Sequence, residues 1–131
     1  MPLIKRGRKE IKELIMKSSH GGKGTVKSRY LLGGDPDVAG LTTHPGDFES
    51  CIEYFCECFM MPKAFVGSHR HEHIEEIYFI IDGEGEITVD GKTTPVITGD
   101  ACLTKKGSVH SFRNTGSRPL RMVSVKTKNK R

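Results

Sequence analysis

Short apolar runs separated by glycine turns fill most of the chain from residue 25 onward. Strands are predicted over 25–32, 51–61, 76–82, 86–89, 92–98, 101–104, 110–114 and 120–126, with turns such as Gly83–Gly85 and Asp90–Gly91 between them. Pro95 indicates that the strand over 92–98 lies at a sheet edge, because proline cannot donate a backbone hydrogen bond. Many short strands with turns about every 8–12 residues favour an antiparallel sandwich or barrel.

The N-terminal residues have a different pattern, rich in lysine and arginine. Residues 8–17 carry isoleucine and leucine at helical spacing, so they are predicted to form a short amphipathic helix or, alternatively, a loose arm. We therefore expect a basic extension over residues 1–24, partly helical, and one all-β domain over residues 25–131. A chain of 131 residues is long enough for one domain with its own hydrophobic core.

The predicted strand over 51–61 carries two glutamates on one side. Because side chains alternate across a strand, Glu53 and Glu57 share one face with two phenylalanines, and the other face carries Tyr54 and two cysteines. If the glutamate face is the outer one, both side chains are solvated. If it faces inward, they are candidate proton-transfer groups near the centre of the domain.

The predicted strand over 76–82 is apolar on both faces. Tyr78 and Ile80 point to one face, and three further apolar residues point to the other. A strand of this kind must be covered on both sides. We therefore expect either a second subunit or the N-terminal segment 1–32 against its outer face, and a homodimer is the favoured interpretation.

The charge of the chain is divided between basic ends and an acidic middle. The formal net charge is +5, yet residues 31–117 carry six lysines and arginines against fourteen acidic residues. No helix-turn-helix, zinc-finger or RNA-binding signature accompanies the basic ends, so nucleic acid is not an expected partner. Neither a membrane-spanning run nor an apolar signal segment is found, and a cytoplasmic location is expected. The four cysteines lack the spacing of a disulfide framework and are expected to be reduced thiols.

Three histidines and three glutamates crowd into the stretch from His69 to Glu76, directly before an apolar strand. Imidazole nitrogens and carboxylate oxygens are ligands that divalent transition metals accept, so this stretch is a candidate metal site. His69 and His71, two apart on a strand, point to one face as a chelating pair. A bend in the polar residues that follow would return Glu76 to the same interior, and His110, at the entry to a later strand, is a candidate distant ligand.

Two spaced motifs in these residues resemble those of the cupin family. His69–x–His71–x4–Glu76–x6–Gly83 is similar to the first cupin motif, and Gly99–x5–Lys105–x–Gly107–x2–His110–x3–Asn114 is similar to the second, within residues 50–126. Lys105 departs from the family, which has a proline at that turn. A second register exists, in which His71 pairs with His73 and Glu75 replaces Glu76, but the spacing from Glu76 to Gly83 favours the first.

The resemblance implies a double-stranded β-helix, or jelly-roll barrel, in which both motifs supply ligands to one metal. On this sequence the implied ligands are His69, His71, Glu76 and His110. The resemblance further implies one divalent ion per chain, and Mn, Fe, Ni, Co and Zn all suit this donor set. Three imidazoles and one carboxylate leave two positions of an octahedron for water, a carboxylate or dioxygen.

A mostly apolar cavity with one phenol is expected around the metal, because Tyr78, Ile80 and Phe112 share strand parity with the ligands and should line it. The expected partner is a small molecule, either a carboxylate or a sugar derivative, as in proteins similar to this one. Two functions stay open. One is a metalloenzyme of the oxalate-decarboxylase-like or dioxygenase-like kind, with lyase, oxygenase or isomerase chemistry, and the other is a non-catalytic binding module. The catalytic residues are unknown, with Tyr78, Glu53 and Glu57 as candidates.

Overall fold

The computed structural model describes residues 2–36 and 44–128, and within them the chain forms ten strands. The strands are β1 (Leu14–Lys17), β2 (Thr25–Gly33), β3 (Ile52–Met60), β4 (Phe65–Arg70), β5 (Glu76–Asp82), β6 (Glu84–Val89), β7 (Lys92–Ile97), β8 (Ala101–Thr104), β9 (Val109–Asn114) and β10 (Leu120–Thr127). Single 3₁₀ turns over Arg8–Glu10 and Ser19–Gly21 precede β1 and β2. None of the described residues forms a helix long and apolar enough to cross a membrane.

The strands form two antiparallel sheets whose inner faces enclose the core. One sheet has six strands in the order β1-β2-β3-β10-β5-β8, and the other has four in the order β4-β9-β6-β7. The chain crosses from one sheet to the other between β4 and β5 and again between β5 and β6. The buried core contains Val26, Met60, Ala64, Tyr78, Ile80, Ile87, Val96, Phe112, Leu120 and Met122. The predicted all-β jelly roll is confirmed.

The hairpin between β6 and β7 is closed by the predicted two-residue turn. Asp90 and Gly91 both have positive φ, at 49° and 84°, which is the backbone that the favoured hairpin turn requires. β7 is the last strand of the four-stranded sheet, so Pro95 lies on an edge strand as predicted.

The N-terminal segment differs from the predicted amphipathic helix. Its helical part is a single 3₁₀ turn over Arg8–Glu10, and Leu14–Lys17 form strand β1, which pairs with β2. The same apolar positions serve a strand because Leu14 and Met16, two apart, both pack against buried residues, while β2 offers an edge for hydrogen bonding. Tertiary pairing therefore outweighs the local helical spacing.

Two arginines fasten the segment before β1 to the rest of the fold. Arg6 makes a bidentate ion pair with Asp47 at 2.5 and 2.8 Å, and Arg8 makes another with Glu57 through Nε and Nη2, both at 2.6 Å. The hydrogen bonds from Arg6 lower the pKa of Asp47 to about 2. The extension thus packs on the domain, and the boundary between residues 24 and 25 stays a prediction.

The outer face of β5 is partly exposed although residues 2–36 are in place. Ile77 is 42% exposed and Phe79 is 41% exposed. Leu103, which pairs with Ile77 from the edge strand β8, is 52% exposed. The described part of the N-terminal segment therefore leaves this apolar row uncovered. Of the two predicted ways to cover it, a second subunit is the one that remains.

Candidate metal centre

Four side chains from both sheets converge between them. His69 lies in β4, His71 directly follows β4, Glu76 begins β5 and His110 lies in β9. β9 pairs with β4 so that His69 and His110 are opposite each other. Because β4 and β5 belong to different sheets, the bend over residues 71–75 carries the chain across the barrel and brings Glu76 to the histidines from the other wall.

The donor atoms of these four side chains lie within 4.8 Å of one another. His110 Nε2 is 2.9 Å from His69 Nε2 and 2.9 Å from His71 Nε2. Glu76 Oε1 is 3.1 Å from His71 Nε2 and 3.2 Å from His110 Nε2. All are buried except His69, which is partly exposed. Four nitrogen and oxygen donors directed at one small volume are what a single metal ion requires.

Hydrogen bonds hold the outer side of two of the histidines. Nδ1 of His69 donates to the Gly67 carbonyl at 2.8 Å. Since a carbonyl only accepts, the proton is on Nδ1 and the lone pair of His69 is on Nε2. Nδ1 of His110 lies 2.7 Å from Oγ1 of Thr104. Partners of this kind fix the tautomer and the ring orientation of histidines that bind metals.

The two oxygens of the Glu76 carboxylate have different surroundings. Oε1 faces the histidines, whereas Oε2 accepts hydrogen bonds from Tyr54 Oη at 2.7 Å and from Ser124 Oγ at 3.0 Å. Burial opposes ionisation, but the contacts with two histidines and Tyr54 outweigh it and hold the pKa of Glu76 well below its usual range. Burial lowers the pKa of His69 to about 4. Ionised carboxylate and neutral imidazole are the forms that bind metals, so the cluster can hold one ion.

Three members of the cluster, His69, His71 and Glu76, line a cavity of about 420 Å³, a volume typical of small-molecule sites. Tyr78 lines this cavity, and its ring stacks on His110 with centroids 5.5 Å apart. Ile80 and Phe112 were also predicted to line it, but they lie in the packed core, at 0% and 1% exposed. Side chains from both sheets fill the barrel at their level, so no space is left beside them.

The remaining cavity wall is largely apolar and rich in sulfur. It includes Met16, Val26, Tyr30, Cys56, Cys58, Met60 and Met122. The four cysteines of the chain are free thiols, as predicted. A buried cation that the sequence pattern did not reveal, Lys126, also borders the cavity, and its Nζ lies 3.3 Å from Asp35 Oδ1 and 3.2 Å from Glu53 Oε1.

Glu53 and Glu57, the candidate proton-transfer groups, do not line the cavity. Glu57 lies on the outer face of the six-stranded sheet, where it binds Arg8 at 2.6 Å and Arg121 at 2.7 Å. Glu53 binds Lys126 at 3.2 Å. Both side chains therefore form ion pairs. They are neither solvated, as expected for an outer position, nor directed at the metal cluster, as expected for an inner one.

The alternative register of the histidine stretch is not assembled. His73 is exposed, and Glu75 bonds to β10 through its backbone, since its N–H donates to Thr127 Oγ1 at 2.9 Å and its carbonyl accepts from Thr127 N at 3.0 Å. Neither residue belongs to the group of converging donors. The backbone bonds with Thr127 place Glu76 at the start of β5, facing the histidines.

His20, which the sequence pattern did not single out, adjoins the cluster. Its ring stacks on His69 with centroids 3.7 Å apart and planes 11° apart, and it lines the cavity. The signal that could have revealed it is a pair of glycines. A Cβ on Gly22 would lie 1.8 Å from the Phe65 carbonyl oxygen, and one on Gly67 would lie 2.0 Å from the His20 carbonyl oxygen. Only glycine permits the turn to approach β4 so closely.

Comparison with known proteins agrees with this arrangement. A family model described as the cupin domain matches residues 57–126. The oxalate-binding protein of Thermotoga maritima is 33% identical over 116 residues, 88% of this chain and 87% of that protein. A crystal structure of a predicted oxalate decarboxylase from Thermotoga maritima matches with a TM-score of 0.81 and 31% identity, over 96% of this chain and 99% of that chain. The 5-nitrosalicylic acid 1,2-dioxygenase of a Bradyrhizobium species is 35% identical over 72 residues, 54% of this chain and 34% of that enzyme.

The chain belongs to the cupin family. The matched residues 57–126 contain all four converging side chains and both motifs that the sequence indicated. Relatives carry names that refer to oxalate binding and to dioxygenation of an aromatic acid. The chain spans about a third of the length of that dioxygenase, so the likeness to it concerns the cupin domain alone.

Proposed function

We propose that the protein binds one divalent metal ion through His69, His71, Glu76 and His110, and that this metal holds a small carboxylate. The convergence of three imidazole nitrogens and one carboxylate oxygen within 4.8 Å carries the proposal. The hydrogen bonds on the outer side of His69, His110 and Glu76 add support, because metal ligands are held by such partners. Mn, Fe, Ni, Co and Zn all accept this donor set, and metal availability decides among them.

A carboxylate suits the site on the count of donors. Divalent metals of this group take up to six ligands, so four protein donors leave room for both oxygens of a carboxylate. Because Tyr54 and Ser124 occupy Oε2 of Glu76, that side chain offers one oxygen to the metal and leaves the remaining room to the ligand. When bound, the ion supplies a Lewis acid that polarises the ligand. The relative named for oxalate binding supports the same ligand class.

Among the candidate catalytic residues, the position of Tyr78 supports a role at the metal centre better than the positions of Glu53 and Glu57 do. Decarboxylation of the kind considered from the sequence would use an inward-facing Glu53 or Glu57 as a proton donor, and both lie outside the cavity wall. Tyr78 is the candidate that faces the cavity, and burial raises its pKa well above the usual range. Its hydroxyl therefore keeps its proton and can donate a hydrogen bond that orients a ligand.

The alternative is a non-catalytic module that holds the carboxylate unchanged. Much of the cavity wall is apolar or thioether surface, which favours this function because such surface can hold a ligand without reacting with it. Both functions share the metal and the carboxylate. They differ in whether product appears when the metal-loaded protein is kept with its ligand in air.

Two measurements test the proposal. The first is metal analysis of protein purified without chelators, and the second is the binding of oxalate and salicylate with and without that metal. We expect stoichiometric metal and carboxylate binding that requires it. His110→Ala should lose the metal, whereas His73→Ala should keep it, since His73 is exposed and outside the donor group. Full metal content in His110→Ala would contradict the ligand assignment. Product analysis in air then separates the enzyme from the binding module.

We also propose that a second copy of the chain covers the apolar row of Ile77, Phe79 and Leu103. These side chains are 41% to 52% exposed on the outer face of β5 and β8. A contiguous apolar row on a sheet face is typical of an interaction surface, and the described N-terminal residues leave it open. The cytoplasmic location expected from the sequence stays a prediction.

A further inference from the structure

His20 lies beside the metal-binding group although it belongs to the N-terminal extension. Its ring stacks on His69 with centroids 3.7 Å apart and planes inclined by 11°. It is exposed towards solvent and lines the same cavity as His71 and Glu76. The two parallel rings are therefore neighbours on one cavity wall, and only one of them belongs to the donor group.

The turn that carries His20 is held in an unusual backbone conformation. Ser18 and His20 have φ of 54° and 51°, in the left-handed region that residues with side chains rarely adopt. Lys23 and Phe65 pair through two backbone hydrogen bonds of 2.9 and 2.8 Å, which fix the turn against β4. Strained backbone of this kind persists where the surroundings impose it and is common at ligand sites.

The close approach of the turn to β4 depends on glycine on both sides. A Cβ on Gly67 would lie 2.0 Å from the carbonyl oxygen of His20, and one on Gly22 would lie 1.8 Å from the carbonyl oxygen of Phe65. Gly67 is also the residue whose carbonyl accepts from Nδ1 of His69. The contacts that orient His69 and those that position His20 therefore share one residue.

We propose that His20 contacts the ligand, with its imidazole donating a hydrogen bond to an outer oxygen of the carboxylate held at the metal centre. The inference rests on the proposed function, because it assigns a role at the same site. The His20 ring lies 3.7 Å from that of His69 and lines the cavity, so a nitrogen of His20 is within reach of a ligand bound beside His69. Imidazole carries at least one N–H in every protonation state it adopts in proteins, so it can serve as that donor.

This assignment makes the N-terminal extension part of the binding site. An oxygen-rich anion gains from a second donor at the wall, whereas a neutral apolar ligand does not. His20 would then select carboxylates over apolar molecules of the same size. The competing role is steric, in which the His20 ring packs on His69 and keeps it in position without touching the ligand.

Two substitutions distinguish the roles. His20→Phe keeps an aromatic ring for stacking on His69 but removes the N–H, and His20→Gln restores a donor without the ring. Metal affinity is measured by chelator competition with Mn²⁺, and ligand affinity by calorimetry with oxalate and salicylate on the metal-loaded protein. His44→Phe is the matched control, since His44 is exposed and lies outside both the donor group and the cavity wall.

We expect His20→Phe to keep the metal affinity of the wild type and to bind oxalate about 10- to 100-fold more weakly, as expected for a lost hydrogen bond to a charged group. His20→Gln should recover part of that loss, and His44→Phe should match the wild type. Two results would overturn the inference in favour of the steric role. One is an unchanged oxalate affinity in His20→Phe. The other is an equal loss of metal and oxalate affinity in His20→Gln while His20→Phe keeps both. If the wild type takes up no metal or binds no carboxylate, the proposed function itself fails.

Discussion

Tyr54 and Glu76 are joined by a hydrogen bond of 2.7 Å from the tyrosine hydroxyl to Oε2 of the carboxylate. Both side chains are buried, each 5% exposed. Together with Ser124, which donates to the same oxygen at 3.0 Å, Tyr54 fixes the carboxylate plane. Oε1 is therefore the oxygen that faces the three histidines.

Tyr54→Phe should weaken metal binding without unfolding the protein. The substitution removes the hydroxyl and keeps the ring, so Glu76 loses one of its two orienting hydrogen-bond donors. The affinity of the protein for the metal should therefore fall by about 10- to 100-fold. Chelator competition measures the change. Tyr30→Phe is the matched control, because the Tyr30 ring packs on Tyr54 at 4.9 Å between centroids and its hydroxyl does not bond to Glu76. Equal affinities in the two variants would show that this hydrogen bond does not support the metal.

Thr104→Val should produce a similar loss through His110. Thr104 is 1% exposed, and its Oγ1 lies 2.7 Å from Nδ1 of His110. Valine keeps the shape of threonine but leaves that nitrogen without its partner, so we expect a loss of about 10-fold or more in metal affinity. Thr93→Val is the control, since Thr93 is exposed on the edge strand β7. If the Thr104→Val protein binds metal as tightly as the wild type, Thr104 has no role in orienting the His110 ring.

The metal-free protein should lose stability as the pH falls from about 6.5 to about 4. Burial lowers the pKa of His69 from 6.5 to about 4 in the folded state. Between these pH values His69 binds a proton in the unfolded chain but not in the folded chain, so the free energy of unfolding decreases as the pH decreases. Above about pH 6.5 His69 is neutral in both states and does not affect the free energy of unfolding. Urea unfolding of chelator-treated protein at a series of pH values measures the slope.

His69→Gln should flatten that pH dependence, because the side chain of glutamine does not titrate. Thr93→Val, an exposed substitution on β7 that involves no titratable group, serves as the control and should keep the slope of the wild type. If the slope between pH 6.5 and 4 is the same in His69→Gln and the wild type, other groups govern the acid sensitivity.

The strands and the donor residues could be predicted because their signals are local. Asp90–Gly91 and Pro95 marked a hairpin and an edge strand by backbone chemistry alone, and both are found. The spacing of His69, His71 and Glu76 is likewise local, and His110 followed from the resemblance of a second local motif. These residues converge in the structure.

What could not be predicted depends on which distant elements meet. Leu14 and Met16 fit both a helical and an alternating pattern over so short a run, and pairing with β2 decided for a strand. The contact of His20 with His69 requires the turn to lie against β4. The face of Glu57 was left open because alternation gives two faces without saying which is inner, and Arg8 and Arg121 occupy the outer one.

Glu57→Gln should lower stability and leave the metal site unchanged. The carboxylate is 6% exposed and joins Arg8 from the N-terminal extension to Arg121 on β10. Hydrogen bonds from Arg8 and Arg121 hold its pKa below the usual range despite burial. Loss of the charge should cost roughly 1–2 kcal/mol, because the arginines are partly exposed and recover part of their hydration. Denaturant unfolding and metal analysis are the measurements, and loss of metal or ligand binding in a folded variant would return Glu57 to the list of site residues.

Phe79→Lys should convert the proposed dimer into a monomer. Phe79 is 41% exposed and stands beside Ile77 and Leu103 on the outer face, so a lysine there would place a charge in an apolar contact between copies. Sedimentation velocity measures the change, and metal content should be unaffected because Phe79 points away from the cavity. Lys92→Glu, on the edge strand β7 of the other sheet, is the control and should sediment as the wild type does. A wild-type protein that sediments as a monomer would remove the proposal, because the apolar row would then have no second copy to cover it.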